Sequence, residues 1–162
     1  SKQQRREDIP IKLLGLWDTV EAYGMPVLER KRGIDKTLWP MVFGDLILSP
    51  TVARACHALS LDDERTTFHP LLWDEAAEAR MVAAGTVSPG RITQVWFAGV
   101  HANVGDGYPE DPLSLVKLEC MIKQAKANGL LLDPQCPADV AAPTSPYDRI
   151  YDSRGDFAPY NR

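Results

Sequence analysis

The sequence predicts an α/β fold, a mostly parallel sheet flanked by helices, of which this chain encodes only a part. Three observations predict it. Ile9-Pro-Ile-Lys-Leu-Leu-Gly-Leu-Trp is a short apolar run bounded by charge and followed by Asp-Thr, the form taken by a strand buried on both faces. Ile92–Val100 is a β-branched and aromatic run behind the turn Ser88-Pro-Gly-Arg, and it reads as the strongest strand in the chain. Helical segments lie between and after these runs, which is the α/β order. Two strands cannot complete such a sheet, so strands are expected to be missing.

The remaining elements follow in order. Ser1–Asp8 is polar and charged. From Val20 to Pro50 no periodicity holds, and Gly24, Pro26, Gly33, Pro40 and Gly44 mark a long excursion. A stretch of that length is usually functional or carries short elements of its own. Ser49 and Pro50 read as N-cap and first residue of a helix through Val52–Leu59. Asp62–Glu64 reads as a solvated turn. Phe68-His-Pro-Leu-Leu-Trp contains a proline, which argues against a central strand. Asp74–Ala84 is rich in Ala and Glu and predicts a helix closed by Gly85. After His101 the segment Gly105-Asp-Gly-Tyr-Pro predicts a loop. Leu115, Leu118, Met121, Ile122 and Ala125 give an amphipathic helix over Leu113–Asn128, ended by Gly129. Pro134–Pro146 is irregular. Trp17, Trp73 and Trp96 are expected in the core.

Composition excludes several classes of function. An apolar fraction of 44% and a charged fraction of 25% are those of a globular chain. A formal net charge of −4 gives no basic footprint for nucleic acid. No apolar run approaches the roughly 18 residues of a transmembrane segment, and Ser1–Asp8 has no signal-peptide character. The expected location is therefore cytoplasmic, or exported without a signal peptide. Cys56, Cys120 and Cys136 are odd in number and far apart, so they are expected reduced and without a catalytic thiolate. No cofactor is expected. No Cys or His pair has zinc spacing, and Asp62-Asp-Glu lacks the spaced ligands of a calcium loop. Gly105-Asp-Gly has no Lys-Ser/Thr behind it, so a nucleotide phosphate loop is unsupported.

In open α/β sheets, ligands bind beyond the carboxyl ends of the strands. Asp18 and His101 fall there, one after each predicted strand. A carboxylate beside an imidazole fixes its tautomer and stabilises the imidazolium, so Asp18 is the candidate acid and His101 the candidate base. Each has a plainer reading. Asp18 could cap its turn, and His101 could be a loop residue satisfied locally. His57 sits in the predicted helix and His69 is held extended by Pro70. Neither ends a strand, and both read as structural. No Gly-x-Ser-x-Gly occurs, and Ser60, Ser88, Ser114 and Ser145 read as caps or turn residues.

Several blocks, taken in order, resemble one known family. They are Gly15-Leu-Trp-Asp-Thr-Val-Glu-Ala-Tyr-Gly, Ala55-Cys-His-Ala-Leu-Ser-Leu-Asp-Asp-Glu-Arg, Phe68-His-Pro-Leu-Leu-Trp and Gln94-Val-Trp-Phe-Ala-Gly-Val-His-Ala-Asn-Val-Gly-Asp-Gly-Tyr-Pro. Leu113-Ser-Leu-Val-Lys-Leu-Glu and Tyr151-Asp-Ser-Arg extend the likeness. The family is an uncharacterised α/β-hydrolase domain family that includes the phospholipase effectors of bacterial type VI secretion. The resemblance implies a Ser-Asp-His esterase or lipase, with Asp18 as acid and His101 as base. It implies that residues 1–162 are the C-terminal portion of one α/β-hydrolase catalytic domain, without the N-terminal portion that bears the nucleophile. Two positions depart from the family. Asn103 stands where an Asp is usual, and Asp106 interrupts a usual glycine triplet.

The expected function is a serine-dependent ester hydrolase of lipase or phospholipase type, inactive as this chain alone. Its expected partners are a lipid or other ester substrate, the missing half of its own domain, and a secretion-machinery protein. The alternative is a catalytically inactive interaction module on a decayed hydrolase fold. A Gly-x-Ser-x-Gly upstream would favour the first.

Overall fold

In the computed structural model the described residues are 9–20, 45–65, 69–105, 108, 111–134 and 147–151. They form strand β1 (Leu14–Trp17), strand β2 (Ala55–Ser60), helix α1 (Glu75–Ala83), strand β3 (Ile92–Phe97), the short helix α2 (His101–Gly105) and helix α3 (Pro112–Ala127). The three strands make one sheet in the order β1-β2-β3, and both pairings are parallel. This is the α/β class that the sequence predicts. The body of the Val20–Pro50 excursion, its residues 21–44, lies outside the described residues, and so does most of Pro134–Pro146.

β2 is a correction to the sequence reading, which places a helix over Val52–Leu59. All six residues of β2 are buried, because the strand lies between β1 and β3 and is covered on both faces. Cys56 and Ala58 pack with Val104 and Met121, and Leu13 and Phe97 lean on that cluster. Ala55, on the opposite face, packs with Leu48 and Val52 and against Leu14, Trp73 and Ile92. A strand buried on both sides shows no alternation. Small, unbranched Ala and Cys carry little β propensity, so tertiary burial rather than local preference makes this segment a strand. Ser49 does not cap a helix. Its hydroxyl instead meets Thr51 Oγ1 at 2.9 Å and accepts the Thr51 N–H at 3.3 Å.

The first apolar run is strand only over its last four residues, with Ile11 joined to Val52 by an isolated parallel bridge. Pro70 likewise forms only an isolated antiparallel bridge, to Val20. α1 starts where its chemistry says. Asp74 caps it by accepting the Ala77 N–H at 2.8 Å, and Glu75 and Glu78 lie in the first turn, where they favour the dipole. α3 opens on Asp111, whose carboxylate accepts the Ser114 N–H at 3.3 Å, with Pro112 in the first turn.

The tryptophans divide. Trp73 is partly buried and meets His57 edge-on at 5.5 Å between ring centroids. Trp17 is 39% and Trp96 48% exposed, so these two are not core residues. Both lie on the outer strands, where β2 covers one edge only. At the opposite end of the sheet from the site, Arg91 is 3% exposed and pairs with Glu78 through two bonds of 2.8 and 2.7 Å. It also donates to the Ser49 and Val52 carbonyls, tying α1 and the entry to β2 together.

Candidate active site

Because the sheet is parallel, β1, β2 and β3 all end at one rim. The register carries this through, with Trp17 opposite Ala58 and Ser60 opposite Phe97. Asp18 is the residue after β1 and His101 stands four residues after β3, so both come to that rim.

Asp18 is fully buried. Its backbone takes a φ of +44°, a left-handed conformation that Asp tolerates better than most side chains. The Asp18 N–H still donates to the Ala58 carbonyl at 2.7 Å, extending the ladder by one residue. The turn this creates aims the carboxylate across the rim. Oδ1 accepts the Ser60 N–H at 2.7 Å, and Oδ2 accepts the Ser60 hydroxyl at 2.6 Å. Oδ2 also lies 2.8 Å from His101 Nδ1. The two residues singled out in the sequence are thus in hydrogen-bond contact across 83 positions of chain.

His101 starts α2 rather than a loop, and its side chain is 32% exposed. The turn that delivers it is held residue by residue. Lys117 Nζ donates to the Ala98 carbonyl at 2.8 Å. The Gly99 N–H donates to Asp62 Oδ2 at 2.6 Å, and the Val100 N–H to Asn103 Oδ1 at 3.2 Å. The His101 N–H donates to Asp63 Oδ2 at 3.0 Å. Asp63 is itself gripped by Arg65, whose Nη2 and Nε lie 2.7 and 3.0 Å from its two oxygens. Gly99 has a φ of +112°, and a Cβ there would sit 2.5 Å from Asn103 Cβ, so only glycine fits. Further along, Tyr108 stacks on Tyr151 at 4.0 Å and Arg149 lies 4.9 Å over the Tyr151 ring.

The electrostatics suit an ion-pairing acid. Burial pushes the Asp18 carboxyl up, but the hydrogen bonds from His101 and Ser60 outweigh it and leave it below its ordinary value. Asp63 behaves alike. Burial raises it, and the bonds from Arg65 and the His101 N–H bring it below its ordinary value. With Asp18 ionised, its Oδ2 can only accept, so in this contact Nδ1 of His101 is the donor.

The other histidines stand elsewhere. His57 is on β2, not in a helix, and is 2% exposed. Its Nε2 accepts the Thr19 N–H at 3.0 Å, its Nδ1 has no partner among the described residues, and burial lowers its pKa. It is a neutral structural residue that pins the backbone next to Asp18. His69 is exposed beside Pro70. Burial pushes the Cys56 thiol up, away from the thiolate that nucleophilic chemistry needs. Among the described residues no group of three or more His, Cys, Asp or Glu side chains could hold a metal ion.

Sequence reasoning missed Ser60, Asp62 and Asp63. Ser60 reads there as a cap or turn residue and Asp62–Glu64 as a solvated turn. In the structure Ser60 is 4% exposed at the end of β2, and the two aspartates hold the backbone that presents His101. The signal was available in one form only. Had Ala55–Ser60 been recognised as a central strand, Ser60, Asp62 and Asp63 would have fallen at the same carboxyl rim as Asp18.

Comparison with known proteins identifies one family. Residues 1–124 match the family described as T6SS, Phospholipase effector Tle1-like, catalytic domain. No curated protein and no solved structure matches the chain.

Proposed function

The chain belongs to the Tle1-like catalytic-domain family of type VI secretion phospholipase effectors, and from that premise we propose that it carries the acid and base of a serine-dependent phospholipid hydrolase. The acid is Asp18 and the base His101. The nucleophilic serine is supplied by sequence outside residues 1–162, in the part of the same catalytic domain that bears the nucleophile. The observation that carries this reading is the 2.8 Å contact between Asp18 Oδ2 and His101 Nδ1 at the carboxyl rim of a parallel sheet.

The chemistry follows from the tautomer. A serine hydroxyl placed at His101 Nε2 loses its proton to that nitrogen as Oγ attacks the acyl carbonyl of the ester. The imidazolium formed is stabilised by the buried Asp18 carboxylate, which stays ionised throughout. His101 then returns the proton to the departing alcohol, leaving an acyl-serine. Water, deprotonated by the same nitrogen, releases the fatty acid and frees the serine. Membership of this family supports phospholipid as the ester and type VI secretion as the delivery route. No helix among the described residues is long and apolar enough to cross a membrane.

Asn103 weighs against a decayed site. It is fully buried and satisfied at both ends, with Oδ1 accepting the Val100 N–H and Nδ2 donating to Asp111 Oδ2 at 3.0 Å. The departure from the usual Asp is thus accommodated by a partner.

The test is a His101→Ala exchange in the protein that contains the serine, assayed by fatty-acid release from phospholipid vesicles. Loss of the general base should cost turnover by about three orders of magnitude or more. Turnover within a few fold of the parent would remove His101 from the reaction.

A further inference from the structure

Ser60 lies in contact with Asp18 and has no part in the reaction just described. Its hydroxyl proton is directed at Asp18 Oδ2 at 2.6 Å, so Ser60 is not poised as a nucleophile. The oxygen it touches is the same one that meets His101 Nδ1 at 2.8 Å. The other carboxylate oxygen is fixed by the Ser60 backbone N–H at 2.7 Å. One residue therefore grips both oxygens of the acid. Two torsions, about Cα–Cβ and Cβ–Cγ, set where the carboxylate points, and the hydroxyl opposes the movement of Oδ2 that either allows.

We propose that Ser60 is a positioning residue, whose hydroxyl holds Asp18 Oδ2 in line with His101 Nδ1. This rests on the acid–base reading above. Without the hydroxyl, Oδ1 stays tethered to the Ser60 backbone while, among the described residues, Oδ2 is retained by the imidazole alone. The carboxylate then swings about that tether, and the Nδ1–H···Oδ2 bond changes length and opens more often. Burial sharpens the effect, because Ser60 is 4% and Asp18 0% exposed, and no bulk water stands by to replace the missing donor.

The proposal can be read without turnover. In the full chain labelled with 15N-histidine, proton NMR follows the Nδ1–H of His101. The parent is expected to show a protected Nδ1–H resonance, and Asp18→Asn to abolish it. Ser60→Ala should shift that resonance and speed its exchange with solvent, whereas Ser60→Thr, which keeps the hydroxyl, should stay close to the parent. A Ser60→Ala resonance that coincides with the parent in position and exchange overturns the proposal. Absence of the resonance in the parent, or its survival in Asp18→Asn, overturns the acid–base reading itself, so the two failures are distinguishable. Should Ser60→Ala lose amide dispersion, Ser60→Cys, which keeps the volume and weakens the donor, is read in the same way. In the protein that contains the serine, Ser60→Ala should lower kcat about tenfold, the rate equivalent of one hydrogen bond to a charged group, with KM unchanged. A loss as deep as that of His101→Ala would make Ser60 the nucleophile and overturn its positioning role.

Discussion

Asp62 and Gly99 hold each other across the rim of the sheet. Asp62 Oδ2 accepts the Gly99 N–H at 2.6 Å, and the Gly99 carbonyl accepts the Asp62 N–H at 3.1 Å. The segment after β2 and the turn after β3 are locked together there, two residues before His101. Gly99 can take part only because it lacks a side chain. An added Cβ would lie 2.5 Å from Asn103 Cβ, on a backbone at φ +112°.

Gly99→Ala should therefore destabilise the chain by about 2–4 kcal/mol, since overpacking and a disallowed backbone act together. Urea unfolding checks it. A loss under about 0.5 kcal/mol, the level of an ordinary surface change, would mean that the turn relaxes freely.

At the far end of the sheet the Arg91–Glu78 pair is buried. Arg91→Ala should cost about 3–5 kcal/mol, because Glu78 is left as an uncompensated buried charge. Glu78→Gln should cost less, since it keeps an acceptor for the guanidinium. Denaturant midpoints of the two variants test the ranking, and equal losses would contradict it.

Stability should depend on pH in two windows. His57 is held below its ordinary 6.5 by burial, against the opposing pull of Asp18. Below 6.5 the unfolded chain takes up a proton that the folded chain refuses, so stability falls as pH drops from there towards the lowered folded value. Asp18 adds a second loss further down. Its folded pKa lies below the ordinary 3.8, so its contribution is present above 3.8 and disappears as pH falls through the folded value. His57→Gln should remove the upper step and leave the lower one. An unaltered upper step in a pH series of urea midpoints would clear His57 of this role.

Asn103→Asp should be unfavourable in this chain at neutral pH. It would bring a second carboxylate to about 3 Å from Asp111 Oδ2, where the Asn103 amide now donates. The expected cost is about 1–3 kcal/mol, the price of replacing a buried donor by a like charge. It should shrink on acidification, as one of the two carboxyls takes up a proton. Thermal melts at pH 7 and pH 4.5 read this directly, and a cost that grows at the lower pH would refute it.

The parts of the fold legible in the sequence were those with a strong local signal. Ile92–Phe97 carries β-branched and aromatic residues, α1 is rich in Ala and Glu, and α3 has the apolar spacing of an amphipathic helix. Asp18 and His101 were legible because each follows such a run. Their positions needed only the rule that chemistry in these sheets gathers at the carboxyl ends of strands. β2 was not legible. Ser49-Pro50 offers a helix start, and Ala55–Ser60 has neither alternation nor strong β propensity to set against it. The short helix α2 was hidden too, since the glycines beyond His101 signal a loop more strongly than five residues signal a helix.

By itself, then, the sequence determined which residues could do acid–base work and the class of sheet that would present them, because residue type and strand-like patterning are local properties. Tertiary structure alone decided that Ser60 shares the Asp18 carboxylate with His101, and that Asp62, Asp63 and Lys117 hold the turn that bears His101. Those contacts join residues 19 to 83 positions apart. They exist only once burial on both faces has made Ala55–Ser60 the middle strand, and no local pattern encodes that burial.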